Sequence, residues 1–137
     1  NKVLWREVMY EYKVKQVTRI VDGDTIDVII DLGFDIMHKT RVRLYGINAP
    51  ESRTRDLEEK ARGIMATDRL TELIPNSVLG EGYGPLDSTL ILATKEKGKF
   101  GRYLGIFYAD YGYDQRTNIN ETLVKEGHAT DYFGGKR

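Results

Sequence analysis

Three β-rich segments, one long helix-forming stretch, two further β-rich segments and a short second helix follow one another in that order, and the order limits the fold more than any single residue does. Residues 10–20 (YEYKVKQVTRI) are extended in pattern, and Val17 breaks the alternation where a bulge is expected. Asp22-Gly23-Asp24 predicts a hairpin turn in which the glycine supplies a positive φ. Residues 25–32 (TIDVIIDL) read as a second strand ended by Gly33. Residues 36–45 read as a third, with Val42 and Leu44 on one face and Arg41, Arg43 and Tyr45 on the other; residues 46–50 leave the strand. Residues 56–74 predict a helix with an apolar stripe of Ala66, Leu70, Leu73 and Ile74, widened by Leu57, Ile64 and Met65. Gly63 either weakens that helix or lets it pack closely, and Pro75-Asn76 ends it. A loop at 80–85, strands at 88–94 and 102–108, a polar turn at 95–101 and a turn region at 109–116 follow. Residues 118–126 predict a short helix capped by Asn118 and closed by Gly127, with Leu123 and Val124 facing inward. Five strands closing on themselves around a plugging helix give an α+β fold, a five-stranded OB-type β-barrel.

The 137 residues suit one domain, spanning 1–137, with residues 1–9 as an N-terminal extension and 132–137 as a C-terminal tail. The opening NKVLWREVM lacks the apolar core of a secretory signal. No apolar run reaches the length of a membrane span, so the expectation is no membrane association. The absence of cysteine excludes disulfides and thiolate metal sites. With 21 basic and 21 acidic side chains, no global field draws in a polyanion. Any such binding has to come from clustering, and the charges do cluster. Asp22, Asp24, Asp27, Asp31 and Asp35 precede Lys39, Arg41, Arg43, Arg53 and Arg55; Lys95, Lys97, Lys99 and Arg102 form a later basic stretch.

Three stretches carry chemistry. In VDGDT, Asp22 and Asp24 bend around a glycine and offer hard oxygen ligands at short spacing, although a plain Asp-Gly turn reads the same way. In RLYGINAPE, Arg43 is a fixed charge that forks onto phosphate oxygens, and Glu51 is an acid at a proline-stiffened corner. Taken singly, the first reads as a salt-bridge partner and the second as a first-turn helix acid. In KGKFGRYLG, lysines and an arginine surround glycines and one aromatic, suited to phosphate and base or simply to a charged hairpin turn.

In sequence order, DGDT, then R-L-x-G-I-x-x-P-E, then a long helix, then K-x-G-R before a strand resemble the staphylococcal-nuclease-like (thermonuclease) family from about Val14 to Ala129. The run N-x-x-L-V-x-x-G-x-A, at Asn120, Leu123, Val124, Gly127 and Ala129, adds to it. The resemblance implies that Asp24, with Asp22 close behind, is the main calcium ligand. It implies that Arg43 and Arg102 grip the scissile phosphate and that Glu51 is the general base. Lys99 and Phe100 resemble the family's Lys-Tyr pair beside the nucleotide, and Tyr132 or Phe133 replaces aromatics that stack on the base. Where the family carries a second aspartate ligand and a threonine that ligates through its carbonyl, this chain has Asn48 and Ala49. Ala49 keeps the carbonyl; Asn48 keeps an oxygen and loses a charge, so a weaker calcium site is expected.

The implied function is a calcium-dependent, sequence-nonspecific endonuclease that cuts DNA and RNA to 3′-phosphate and 5′-hydroxyl ends. The alternative is an OB-fold module that binds nucleic acid without cutting it. A purely structural domain leaves the inward arginines without a purpose. A monomer with no protein partner is expected. The chain stops soon after its second helix, where the family commonly has a third, so a shortened member, or one whose C-terminus has been removed, is expected.

Overall fold

The computed structural model describes residues 10–79, 88–97, 103–112 and 115–132. Its strands are β1 (Glu11–Asp22), β2 (Thr25–Asp31), β3 (Met37–Leu44), β4 (Ile47–Asn48), β5 (Thr89–Lys97), β6 (Tyr103–Asp110), β7 (Arg116–Asn118) and β8 (Thr130–Asp131). Its helices are α1 (Leu57–Leu73) and α2 (Ile119–Lys125), with one 3-10 turn at Asn76–Val78. The sheet runs β3-β2-β1-β5-β6-β7, and a further β3–β6 pairing closes five of these strands into a ring. Every pairing in the ring is antiparallel except β3–β6, which is parallel and covers Val42–Tyr103, Arg43–Leu104 and Leu44–Gly105. The OB-type α+β barrel expected from the element order is the fold observed.

The core follows from the strand period. Ile26, Val28 and Ile30 of β2 point inward, as do Leu90 and Leu92 of β5 and Phe107 and Ala109 of β6. In β1 the inward residues Val14, Val17 and Val21 are spaced by three and four rather than two. Register shifts on either side of Val17 account for this, which is the expected irregularity. Asp56 caps α1 by accepting from the amides of Glu58 and Glu59. Asn118 caps α2 by accepting from Glu121, and Gly127 closes it at φ 80°.

Several boundaries differ from the sequence reading. The stripe of α1 is narrower: Gly63, Ala66, Leu70 and Ile74 are buried, whereas Leu57, Ile64 and Met65 are exposed. Only one narrow face of α1 meets the barrel, and helix formers elsewhere need no apolar partner. Gly23 is absent from the positive-φ positions. Its need is steric, since a Cβ there would lie 2.8 Å from Ala66 Cβ and 3.0 Å from Ala49 Cβ. β5 runs on to Lys97 and β6 to Asp110, into segments that read as turns. Paired backbone there, not residue propensity, extends the ladder. The two-residue strands β4 and β8 pair with each other and are too short to leave a periodic signal. The expected 80–85 loop lies outside the described residues.

Candidate active site

The β2–β3 hairpin sets the first two groups. Thr25 pairs with Arg43, so the acid just before Thr25 and the arginine of β3 start out side by side. Asp24 is 5% exposed and Arg43 7%. Arg43 Nη2 lies 3.6 Å from Asp24 Oδ2. The same nitrogen donates to Ile47 O at 3.1 Å and to Asn48 Oδ1 at 3.3 Å. Its guanidinium carbon stands 5.6 Å from the centre of the Tyr132 ring. Asp24 Oδ2 accepts from Ala49 N at 2.9 Å, and Asp24 Oδ1 accepts from Thr25 Oγ1 at 2.9 Å. Two buried charges are thus offset by each other and by hydrogen bonds, which burial demands.

The corner after β3 brings in the remaining acids. Asp22 Oδ1 accepts from Ser52 Oγ at 2.9 Å and from Ser52 N at 3.3 Å. Glu51 N donates to Glu59 Oε2 of α1 at 3.2 Å, while the Glu51 residue itself is exposed. Gly63 lets the helix approach that corner: a Cβ at position 63 would lie 2.5 Å from Glu51 C and O and 2.6 Å from Ser52 N. The close-packing reading of Gly63 is the one observed. Asn120 fixes the corner from the other side. Its Nδ2 donates to Tyr45 O at 2.9 Å and Gly105 O at 3.1 Å, and its Oδ1 accepts from Phe107 N at 3.2 Å.

Asp22, Asp24, Arg43, Asn48, Ala49 and Glu51 line one open cleft of about 680 Å³. Tyr132 does not line it and instead packs against the Arg43 guanidinium. Arg102, Lys99, Phe100 and Phe133 lie outside the described residues. Arg41, Arg53, Ser52 and Tyr103 were not singled out as site residues by the sequence. Of these, Arg41, Arg53 and Tyr103 line the cleft, and Ser52 holds Asp22. The basic cluster hinted at the two arginines; nothing in the sequence ties Ser52 to an acid thirty residues earlier. Arg41 shares its charge with Asp27 at 2.7 Å. That hydrogen bond holds the Asp27 carboxyl below the usual range and lifts the Arg41 guanidinium above its own.

The donor set is all oxygen: the Asp24 and Asp22 carboxylates and the Asn48 amide. That chemistry fits a hard divalent cation. Among the described residues, no three acids or histidines come together as a metal-binding group, so a cation here would lean on neutral ligands.

An OB-type barrel with a buried acid–arginine pair opening on an acid-lined cleft defines a class of α+β barrel proteins. Residues 41–137 match the family model described as staphylococcal nuclease homologue, and the chain belongs to that family. It is 36% identical over 121 residues to a micrococcal nuclease of Shigella flexneri, covering 85% of this chain and 57% of that protein. It is 29% identical over 117 residues to an uncharacterized endonuclease of Escherichia coli O157:H7, covering 85% of this chain and 60% of the relative. Endonuclease YhcR of Bacillus subtilis (strain 168) is 31% identical over 123 residues, which are 85% of this chain and 9% of that protein. The chain spans about six-tenths of the length of the first two relatives.

Proposed function

We propose that this chain is a calcium-dependent phosphodiesterase that hydrolyses DNA and RNA with little sequence preference, leaving 3′-phosphate and 5′-hydroxyl ends. The observation that carries the reading is the convergence of Asp24, Arg43, Asn48 and Glu51 on one cleft. Family membership and the relatives named as nucleases support it.

A phosphodiester is anionic and repels a hydroxide nucleophile. Arg43 Nη2 donates to Ile47 O and to Asn48 Oδ1. The guanidinium fork is suited to grip two phosphate oxygens. Because Ile47 O and Asn48 Oδ1 hold the guanidinium in advance, no reorientation is required as charge builds on the phosphorus. Glu51 is exposed in the cleft and positioned through its backbone, suited to orient a water and take its proton. Asp24, Asp22, Asn48 and the Ala49 carbonyl are the groups that would hold calcium. When bound, the ion would supply Lewis-acid charge to the phosphate. Arg102 is assigned the second phosphate grip on family resemblance alone. Lys99, Phe100, Tyr132 and Phe133 are assigned to the nucleotide in the same way.

One observation favours the alternative of a binding module without catalysis: Asn48 is neutral, and its oxygen already accepts from Arg43. Digestion of plasmid DNA and of RNA, with millimolar calcium and with chelator, separates the two. Cleavage with calcium and none with chelator is expected. Substrate bound but intact in calcium would select the binding module. Arg43→Gln should lower the cleavage rate by roughly a hundredfold or more, and a wild-type rate would remove Arg43 from the mechanism. Gln is the better probe than charge reversal, because a carboxylate at this buried position would face Asp24.

A further inference from the structure

The ring of strands is shut over only part of its height. β3 meets β6 from Val42 to Leu44, and the half of β3 from Met37 to Arg41 has β2 on one flank. Among the described residues no strand pairs with its other flank. A hollow of about 320 Å³ opens there, near the lower end of the roughly 300–1,000 Å³ typical of ligand sites. Its floor is apolar, built of Ile30, Val42 and Leu92, and its walls are Tyr12, His38 and Tyr103. The His38 and Tyr103 rings meet edge to face, with centroids 6.3 Å apart and planes at 89°. Both residues are exposed, Tyr103 at 41%. Lys95 stands at the edge, its Nζ 4.8 Å from the centre of the Tyr45 ring.

We propose that this hollow takes an unpaired nucleobase of the DNA or RNA strand whose phosphate occupies the cleft. The inference rests on the reading of the cleft as a polynucleotide site. Continuity carries it: Thr40 and Tyr103 line both the cleft and the hollow, so a strand leaving one enters the other. Chemistry carries it as well. An apolar floor rejects a phosphate and accepts a flat ring, and the aromatic walls offer faces and edges for stacking. A lysine at the rim suits the adjoining backbone. A base within a duplex is already stacked, so the ligand is a single-stranded segment.

The test is fluorescence anisotropy with a fluorescein-labelled ten-nucleotide oligothymidylate, in chelator so that nothing is cut. His38→Ala and Tyr103→Ala should each weaken binding roughly tenfold, and His38→Phe should stay near wild type because it keeps a ring. The salt dependence should not change, since no phosphate contact is lost. Irradiation of the wild-type chain with a 5-iodouridine oligonucleotide should label the segments around His38 or Tyr103, independently of how any variant folds. Unchanged affinity in both alanine variants, a wild-type chain that does not bind the oligonucleotide, or labels only elsewhere would overturn the proposal. So would self-association lost in His38→Ala, which would place a second copy of the chain in the hollow. Cleavage in calcium with normal oligonucleotide binding by the alanine variants removes this subsite alone. Ring-dependent binding without cleavage removes the catalytic reading alone.

Discussion

Gly63→Ala is the perturbation that most directly asks whether helix α1 positions the cleft. The new Cβ would lie 2.5 Å from Glu51 C and O and 2.6 Å from Ser52 N. Ordinary carbon contacts sit at about 3.5–4.0 Å, so helix and corner must part by about 1 Å. The atoms that give way are the Glu51 and Ser52 backbone, not a flexible side-chain tip. Ser52 N and Oγ hold Asp22 Oδ1, and Glu51 N is held by Glu59 Oε2, so both acids shift with that backbone. A misplacement of about 1 Å costs roughly a hundredfold in rate. Overpacking costs about 1–3 kcal/mol, and replacing an interior helical glycine with alanine returns about 1 kcal/mol. The net expectation is a stability change between about zero and −2 kcal/mol, with a rate loss far larger than unfolding explains. Steady-state cleavage of single-stranded DNA and a thermal melt, each set beside Met65→Ala on the exposed face of α1, measure both quantities. A Gly63→Ala chain with a wild-type rate and a melting temperature raised by about 3–6 °C, as an unobstructed helix glycine would give, refutes the reasoning.

Asn48→Asp restores a charged ligand and keeps the oxygen that accepts from Arg43, so half-maximal cleavage should need several-fold less calcium; an unchanged titration shows that the residue is no ligand. Asn120→Ala removes three hydrogen bonds and leaves the buried Phe107 amide unpaired, so urea unfolding should report a loss of about 2–4 kcal/mol; a loss under about 0.5 kcal/mol would mean that water replaces the side chain. Hydrogen bonds from Arg69, at 2.6 and 2.9 Å, hold the Glu126 carboxyl below the usual range. Its folded value then lies under its unfolded one, so the bridge contributes above the unfolded carboxylate range and is lost as pH falls through the folded value. The gap in melting temperature between wild type and Glu126→Gln should therefore be present at neutral pH and shrink as pH falls below about 4, through the folded value; a gap that stays constant through that fall would exclude the bridge as its source.

Much of the fold was legible because it rests on period and punctuation. β2 alternates cleanly and is bounded by turn residues, and the caps Asp56, Asn118 and Gly127 stand where local hydrogen bonding needs them. What escaped is set by tertiary contact. Leu57, Ile64 and Met65 fit a helical stripe, yet the barrel offers no surface to cover them. Gly23 satisfied turn chemistry on paper, while its true constraint is two methyl groups brought from distant segments. The lining of the cleft was legible at Asp22, Asp24, Arg43, Asn48, Ala49 and Glu51 because these crowd into two short motifs that one hairpin and one corner bring together. Arg41 sits two residues before Arg43 in the same hairpin, and the basic cluster hinted at it and at Arg53; Ser52 and Tyr103 join them through the fold of the corner and the closure onto β6, which no local pattern announces.

That closure has a consequence for how the chain acquires its shape. β1, β2 and β3 meet through successive hairpins, so their contacts form between near neighbours and form early. The parallel pairing of Val42–Leu44 with Tyr103–Gly105 joins segments separated by the whole of α1 and β5, and it must wait until that long loop is drawn in. The amide of Tyr45, which donates to Gly105 O at 2.8 Å, reports on this last step. In native-state hydrogen exchange it should lose protection before the amides that join β1 to β2, making the zipper between β3 and β6 the place where the barrel breathes.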